Sequence, residues 1–293
     1  MSGTTDVFWQ RLEDVHVRHA PELQAREIAK AAVIETYDAP RVTVTEESAP
    51  GPHGDVRVRV YTPLDRSEPG PLLVWCHGGG WIGGDLDMPE ADVTARELTA
   101  RVGAVVVSVD YRLCRDGMHH PVPNDDVLAA YRWATSRAAM WGADPVRAFL
   151  GGASAGGNLA ACTSLRLRDE GVPQAGLLLA YPVVHPGPSA GLDVLDDEME
   201  LAVIENYLGA PRSEATADAF PALARLAGLP PILLISCEND QFRASGEAFA
   251  VALRAAGTEV RELLAVGEEH GHINRPWRAA AQQTYADMAA WLG

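Results

Sequence analysis

An α/β fold, a mostly parallel central sheet of about eight strands with helices on both faces, is predicted by three observations. Hydrophobic runs of strand length recur from residue 70 onward and alternate with stretches of helical length. Most of those runs are apolar throughout instead of alternating, as expected of strands covered on both faces and therefore parallel. No repeat, low-complexity tract or linker divides the 293 residues, so the elements build one domain, 1–293.

The elements follow in order. Residues from about 5 to 37 are rich in Ala, Leu, Glu, Arg and Gln. Phe8, Leu12 and Val15, then Ala25, Ile28 and Ala32, stand at helical spacing, which predicts one or two helices ahead of the sheet. Val42 to Thr45 and Val56 to Tyr61 alternate, as strands with one wet face do. Continuous apolar runs come next, at Leu72–Cys76, Ala104–Val109, Ala148–Leu150, Gly176–Tyr181 and Ile232–Ser236. Helical stretches fall at about 89–101, 124–139, 155–169, 196–208 and 243–256, and a last strand near Glu259–Val266 precedes a helix from about 276 to 292. The least regular part, His185 to Phe220, opens on His185-Pro186-Gly187-Pro188. Together with residues 1–40 it is natural material for a small, mainly helical cap over a site at the carboxyl ends of the strands.

Composition removes whole classes of function. With 24 basic and 40 acidic side chains the net charge is -16, which repels phosphate backbones and anionic membranes; nucleic acid and membrane surfaces are therefore not expected partners. Lys30 is the single lysine, which excludes a G-x-x-x-x-G-K-[ST] phosphate loop. No run approaches the roughly 18 apolar residues that span a bilayer, and residues 1–20 carry Asp6, Arg11, Glu13, Asp14 and Arg18 where a leader would be apolar. A soluble, cytoplasmic protein is expected. Cys76, Cys114, Cys162 and Cys237 lie tens of residues apart with no C-x-x-C pair and read as reduced, buried thiols.

Two glycine-rich motifs carry the chemistry. Gly152-Ala153-Ser154-Ala155-Gly156 follows an apolar strand and opens an alanine-rich helix, the context a G-x-S-x-G nucleophile turn requires. The helix that starts at Ala155 aims its N–H groups and positive dipole end at any oxyanion formed there. His77-Gly78-Gly79-Gly80-Trp81 follows the Leu72–Cys76 strand, and its glycines let two N–H groups approach one substrate oxygen. Gly78 to Gly83 also satisfies G-x-G-x-x-G. Asp110, however, lies 32 residues beyond Gly78, and two strands precede this one, so a dinucleotide site is disfavoured.

A serine nucleophile needs a base and an acid to orient it. Of nine histidines only His270 and His272 follow the late strands, in Gly267-Glu268-Glu269-His270-Gly271-His272; His270 is favoured, with His272 the alternative. Ser236-Cys237-Glu238-Asn239-Asp240 offers two carboxylates, of which Asp240 lies past the strand end and is favoured over Glu238. A metal on the pair His270-x-His272, with Glu268 and Glu269 beside it, lacks the acid and third histidine of a H-x-H-x-D-H motif, since Asn274-Arg275 stands in their place.

These elements together resemble the hormone-sensitive-lipase-like family of α/β-hydrolases, which includes many small bacterial carboxylesterases. The likeness runs in order from about residue 55 to the C-terminus. It takes in His77–Trp81, Ser108–Leu113, Gly151–Ala160, Gly228–Pro231, Asp240–Arg243 and His270-Gly271. The resemblance implies the α/β-hydrolase fold, with Ser154 as nucleophile, His270 as base and Asp240 as orienting acid. It also implies an oxyanion hole from the N–H groups of Gly79, Gly80 and Ala155, an N-terminal cap, and no cofactor. Ala153, Gln241 and His272 stand where the family usually has an acidic residue, a proline and a phenylalanine. A larger departure is Cys114-Arg115-Asp116-Gly117-Met118-His119-His120, where the family has a short Ala-Pro-Glu-His run close to the site; it bears on substrate identity more than on reaction type.

The expected function is serine-dependent hydrolysis of a small or medium acyl ester by way of an acyl-enzyme. The expected partner is thus a small-molecule ester, and a homodimer is left open. Two other readings compete: a biosynthetic tailoring enzyme using the same triad for deacylation, acyl elimination or cyclisation, and a ligand-binding protein on a hydrolase scaffold. A binder has no need of Ser154, Asp240 and His270 together.

Overall fold

A computed structural model describes residues 6–31, 36–65, 68–187 and 194–293. Parts of the two segments assigned above to a cap, residues 1–5, 32–35 and 188–193, lie outside the described residues. Helices α1 (Val7–Arg18) and α2 (Ala20–Ala31) precede strands β1 (Thr43–Ala49) and β2 (Val56–Thr62). The alternating part follows: β3 (Gly70–Cys76), α3 (Pro89–Val102), β4 (Val105–Val109), α4 (Val122–Arg137), β5 (Ala143–Ala153), α5 (Ala155–Asp169) and β6 (Gly176–Ala180). It ends with α6 (Val194–Leu208), β7 (Ile232–Asn239), α7 (Arg243–Ala255), β8 (Val260–Glu269) and α8 (Ala279–Leu292).

The strands form one sheet in the order β1-β2-β4-β3-β5-β6-β7-β8. The β1/β2 and β2/β4 pairs are antiparallel and the others parallel. The apolar runs are buried because each strand feeds two cores. Leu72, Val74, Val105 and Val107 face one layer of helices, while Leu73, Trp75 and Val106 face the other. In β2, Val56, Val58 and Val60 are buried and Arg57 is exposed, which is the alternation seen in the sequence.

The late strands extend beyond their apolar runs. β7 continues to Asn239 and β8 to Glu269, so Gly267–Glu269, expected as loop, is strand. The pairing steps from Cys237↔Ala265 to Asn239↔Glu269 across a bulge, where the Gly267 N–H donates to Glu238 Oε2 at 2.7 Å. Backbone pairing needs no apolar side chains, and β8 lies at the sheet edge with most of its residues exposed, so hydrophobicity alone stopped short of its end. Asp240 and His270 therefore each directly follow a strand.

All four cysteines are buried and unpaired. Among the described residues no helix is long and apolar enough to cross a membrane.

Ahead of the sheet, α1 is capped by Asp6, whose carboxylate accepts from the Phe8 and Trp9 N–H groups at 3.1 and 3.2 Å. Its Leu12 and Val15 pack on Ala202 of α6, and Arg11 and Arg18 form ion pairs with Glu205 and Glu198 of that helix. The Arg18–Glu198 pair is exposed and contributes little, so docking rests on the apolar contact and on Arg11 reaching the buried Glu205. Leu12→Ala removes roughly 2–3 kcal/mol of it. Trypsin should then cut at Arg11 and Arg18 at least ~30-fold faster, with a much smaller change in the main unfolding transition. An unchanged cutting rate would mean that another contact holds α1.

Candidate active site

Ser154 terminates β5 with φ 53° and ψ -120°, a backbone conformation that a side chain strains to adopt. Hydrogen bonds hold it there: the Ser154 N–H donates to the Ala180 carbonyl at 2.9 Å, and the Ser154 carbonyl accepts from Asn158 and Val183 at 3.1 and 3.2 Å. The glycine two residues on has a packing reason. A Cβ on Gly156 would be driven into the carbonyls of Cys76 and His77, so only glycine lets α5 start this close to the end of β3.

The strand ends bring the three sequence-predicted polar residues together. His270 Nε2 lies 2.8 Å from Ser154 Oγ, and His270 Nδ1 lies 2.8 Å from Asp240 Oδ2. A carboxylate only accepts, so Nδ1 carries the proton toward Asp240 and Nε2 is left to accept from the serine hydroxyl. The Asp240 side chain is only 1% exposed against 28% for His270, so the acid sits behind the imidazole and away from solvent. The rings of Tyr181 and Phe242 meet the His270 ring edge-on at 5.0 and 5.1 Å and fix its plane.

Gly79 and Gly80 have φ of 113° and 61°, and both line a cavity of about 610 Å³ together with Ser154 and His270. The turn closes when Ile82 and Gly83 donate to the Gly79 carbonyl at 3.2 and 2.9 Å, so Gly83 serves the turn. Helix α3 begins only at Pro89, so the glycine loop does not itself lead directly into a helix as a pyrophosphate-binding loop does. Among the described residues the N–H groups of Gly79, Gly80 and Ala155 donate to no loop or turn carbonyl. Apolar side chains, among them Met199, Val203 and Ile204 of α6 with Val183, Phe242 and Trp277, make up much of the rest of the wall.

Neither alternative residue reaches the serine. Glu238 faces Gly267 as described. His272 is fully buried, with Nδ1 3.2 Å from Cys237 Sγ and Nε2 2.8 Å from Thr284 Oγ1. Among the described residues no group of three or more His, Cys, Asp or Glu is arranged to hold a metal ion. Of the family departures, Gln241 lines the cavity and Ala153 is buried.

Sequence reasoning missed Glu90. This carboxylate is 2% exposed, lines the cavity, and accepts from the Gly78 N–H at 2.5 Å, the Tyr181 hydroxyl at 2.6 Å and Asn274 Nδ2 at 3.1 Å. It thus ties the glycine loop to the loop that carries His270. An acidic residue in the first turn of a helix is ordinary, so nothing local distinguishes it.

Residues 73–274 match the alpha/beta hydrolase fold family. Carboxylesterase NlhH of Mycobacterium tuberculosis is 37% identical over 252 residues, covering 80% of this chain and 77% of that protein. The arylesterase of Saccharolobus solfataricus is 30% identical over 278 residues, with 90% and 85% covered. Among solved structures, a thermostable carboxylesterase cloned from a metagenomic library superposes with a TM-score of 0.81 at 32% identity, covering 94% of this chain and 95% of its own. An esterase from Pyrobaculum calidifontis gives 0.79 at 31% identity, with 94% and 91% covered. The chain belongs to the α/β-hydrolase family, in its hormone-sensitive-lipase-like branch, and is a carboxylesterase-type hydrolase.

Burial, reinforced by Arg275, His270 and Arg278, lowers the His272 pKa from the ordinary 6.5 to about 4. The unfolded chain therefore takes up this proton first as pH falls. Stability from the neutral ring is complete above about pH 6.5 and is lost between there and about pH 4, roughly 3 kcal/mol in all. Urea denaturation across that range should show a shallower loss for His272→Gln than for the wild type; parallel curves would show that the ring is not held neutral.

Proposed function

We propose that the protein is a serine carboxylesterase acting on esters with small to medium acyl groups, with Ser154, His270 and Asp240 as its triad. The observation that carries this reading is the continuous relay from Asp240 through His270 to Ser154, opening into a largely apolar cavity. Ser154 Oγ attacks the ester carbonyl as its proton passes to His270 Nε2, and Asp240 stabilises the imidazolium. The N–H groups of Gly79, Gly80 and Ala155 take the charge that develops on the carbonyl oxygen. His270 then protonates the departing alkoxide, leaving an acyl group on Ser154. Water attacks this ester, giving its proton to His270, and collapse of the second tetrahedral intermediate frees the acid and restores the serine. Every step uses side chains and N–H groups of this chain.

In this reading residues 1–40 and about 185–220 form a cap on a single hydrolase domain, supported by the packing of α1 on α6 and by the α6 residues in the cavity wall. The cytoplasm is the proposed compartment; four buried, unpaired thiols and an acidic composition fit it. The unusual segment 114–120 is the feature that would favour a tailoring role, and it contributes no residue to the cavity wall.

Ser154→Ala should lower kcat on a nitrophenyl butyrate by at least ~10³-fold with the fold retained, and Asp240→Asn by a comparable order. Glu238→Gln keeps a carbonyl for the Gly267 N–H and should stay within about threefold of wild type. Equal losses for the two acid variants would reverse the assignment of the acid.

A cavity of about 610 Å³ holds a ligand of modest size. In a series of nitrophenyl esters, kcat/KM should peak at short to medium acyl chains without activation by an emulsified interface. A peak at long chains with interfacial activation would make the protein a lipase.

A further inference from the structure

The segment Cys114–His120 is the largest departure from the family pattern, yet none of its residues lines the cavity. Its contacts run to the glycine loop, where the Cys114 N–H donates to the Trp81 carbonyl at 2.7 Å and Arg115 Nε to the Ile82 carbonyl at 2.5 Å, and to the last turn of α6. The His120 N–H donates to the Tyr207 carbonyl at 2.7 Å, His119 Nδ1–H to the Asn206 carbonyl at 2.5 Å, and Asn206 Nδ2 to the Cys114 carbonyl at 2.7 Å. On its other side the His119 ring places Nε2 3.2 Å from Asp6 Oδ2, at the cap of α1. The fit is close: a Cβ on Gly209, just past α6, would lie 2.8 Å from the His119 ring. One histidine thus hydrogen-bonds the end of α6 and lies beside the cap of α1.

The same helix reaches the site within two turns of this anchor. Met199, Val203 and Ile204 line the cavity, and Val203 Cγ1 would lie 3.2 Å from a Cβ on Gly80. A change in how α6 is held therefore moves the cavity wall and leaves Ser154, His270 and Asp240, all at strand ends, where they are. We propose that His119 is a specificity-determining positioning residue: by anchoring the end of α6 to segment 114–120 it sets the width of the acyl-binding wall and so the length of acyl chain preferred. The proposal rests on the serine esterase reading of the same cavity.

The test is the ratio of kcat/KM for nitrophenyl octanoate to that for the butyrate, measured beside labelling of Ser154 by a serine-directed phosphonate. Losing the hydrogen bond to the Asn206 carbonyl loosens the end of α6. His119→Ala should raise KM for the butyrate about tenfold with kcat nearly unchanged and raise the octanoate-to-butyrate ratio at least ~10-fold. His119→Gln, which keeps one donor for the Asn206 carbonyl, should lie between. Gly209→Ala presses on the same ring from α6 and should move the ratio in the same direction, giving an independent reading if His119→Ala folds poorly. A ratio unchanged in the variants that fold, even with lowered thermal stability, would overturn the proposal and make the anchor purely structural. Wild-type protein that neither takes the label nor turns over the butyrate would instead overturn the esterase reading.

Discussion

The site depends on one backbone constraint, the positive φ of Ser154 at the junction of β5 and α5. A strained turn is held only where its surroundings over-determine it, and here three backbone hydrogen bonds and the close approach of α5 to β3 at Gly156 do so. The strain places the hydroxyl beyond the sheet edge, facing His270. The same close approach brings the first N–H of α5 beside the glycine loop that follows β3. The proposed nucleophile and the proposed oxyanion donors therefore share one geometric cause.

Parallel strands supply the rest. β3, β5, β6, β7 and β8 all end at the same edge, so residues that follow different strands meet there. Asp240 follows β7 and His270 follows β8, and the bulge between those strands sets how far each projects. Glu90 then joins the glycine loop to the histidine loop through three donors, a buried carboxylate whose acceptor capacity is well used. Rigidity of this kind suits a site whose donors must already point at the charge when it develops.

The cavity wall is built differently. α6 comes from the least regular part of the chain and is held by α1 on one side and by segment 114–120 at its end. Its contacts with the sheet's strand-end loops are made through side chains such as Val203 and through Trp81, which stacks on Tyr207 with ring centroids 4.1 Å apart. The proposed triad thus sits at strand ends, while much of the apolar cavity wall comes from α6.

Much of this was legible in the residues. Apolar runs too continuous for a half-wet strand identified the parallel core, and Gly152 to Gly156 between strand and helix identified the turn at Ser154, because both signals are local and have a steric or solvation cause. The choice of His270 over His272 and of Asp240 over Glu238 could be favoured from order along the chain, but settling which side chains meet took the sheet: His272 turns into the protein toward Cys237 and Thr284, and Glu238 lies in a bulge facing Gly267. The true ends of β7 and β8, the knot at Glu90 and the anchoring of α6 by His119 left no local trace. Each depends on partners far away in sequence, Asn274 lying 184 residues from Glu90 and Asn206 lying 87 from His119. A sequence by itself determines which residues can strand, turn and react, because those are properties of near neighbours; which of them touch is decided only when the folded sheet brings distant strand ends to one edge.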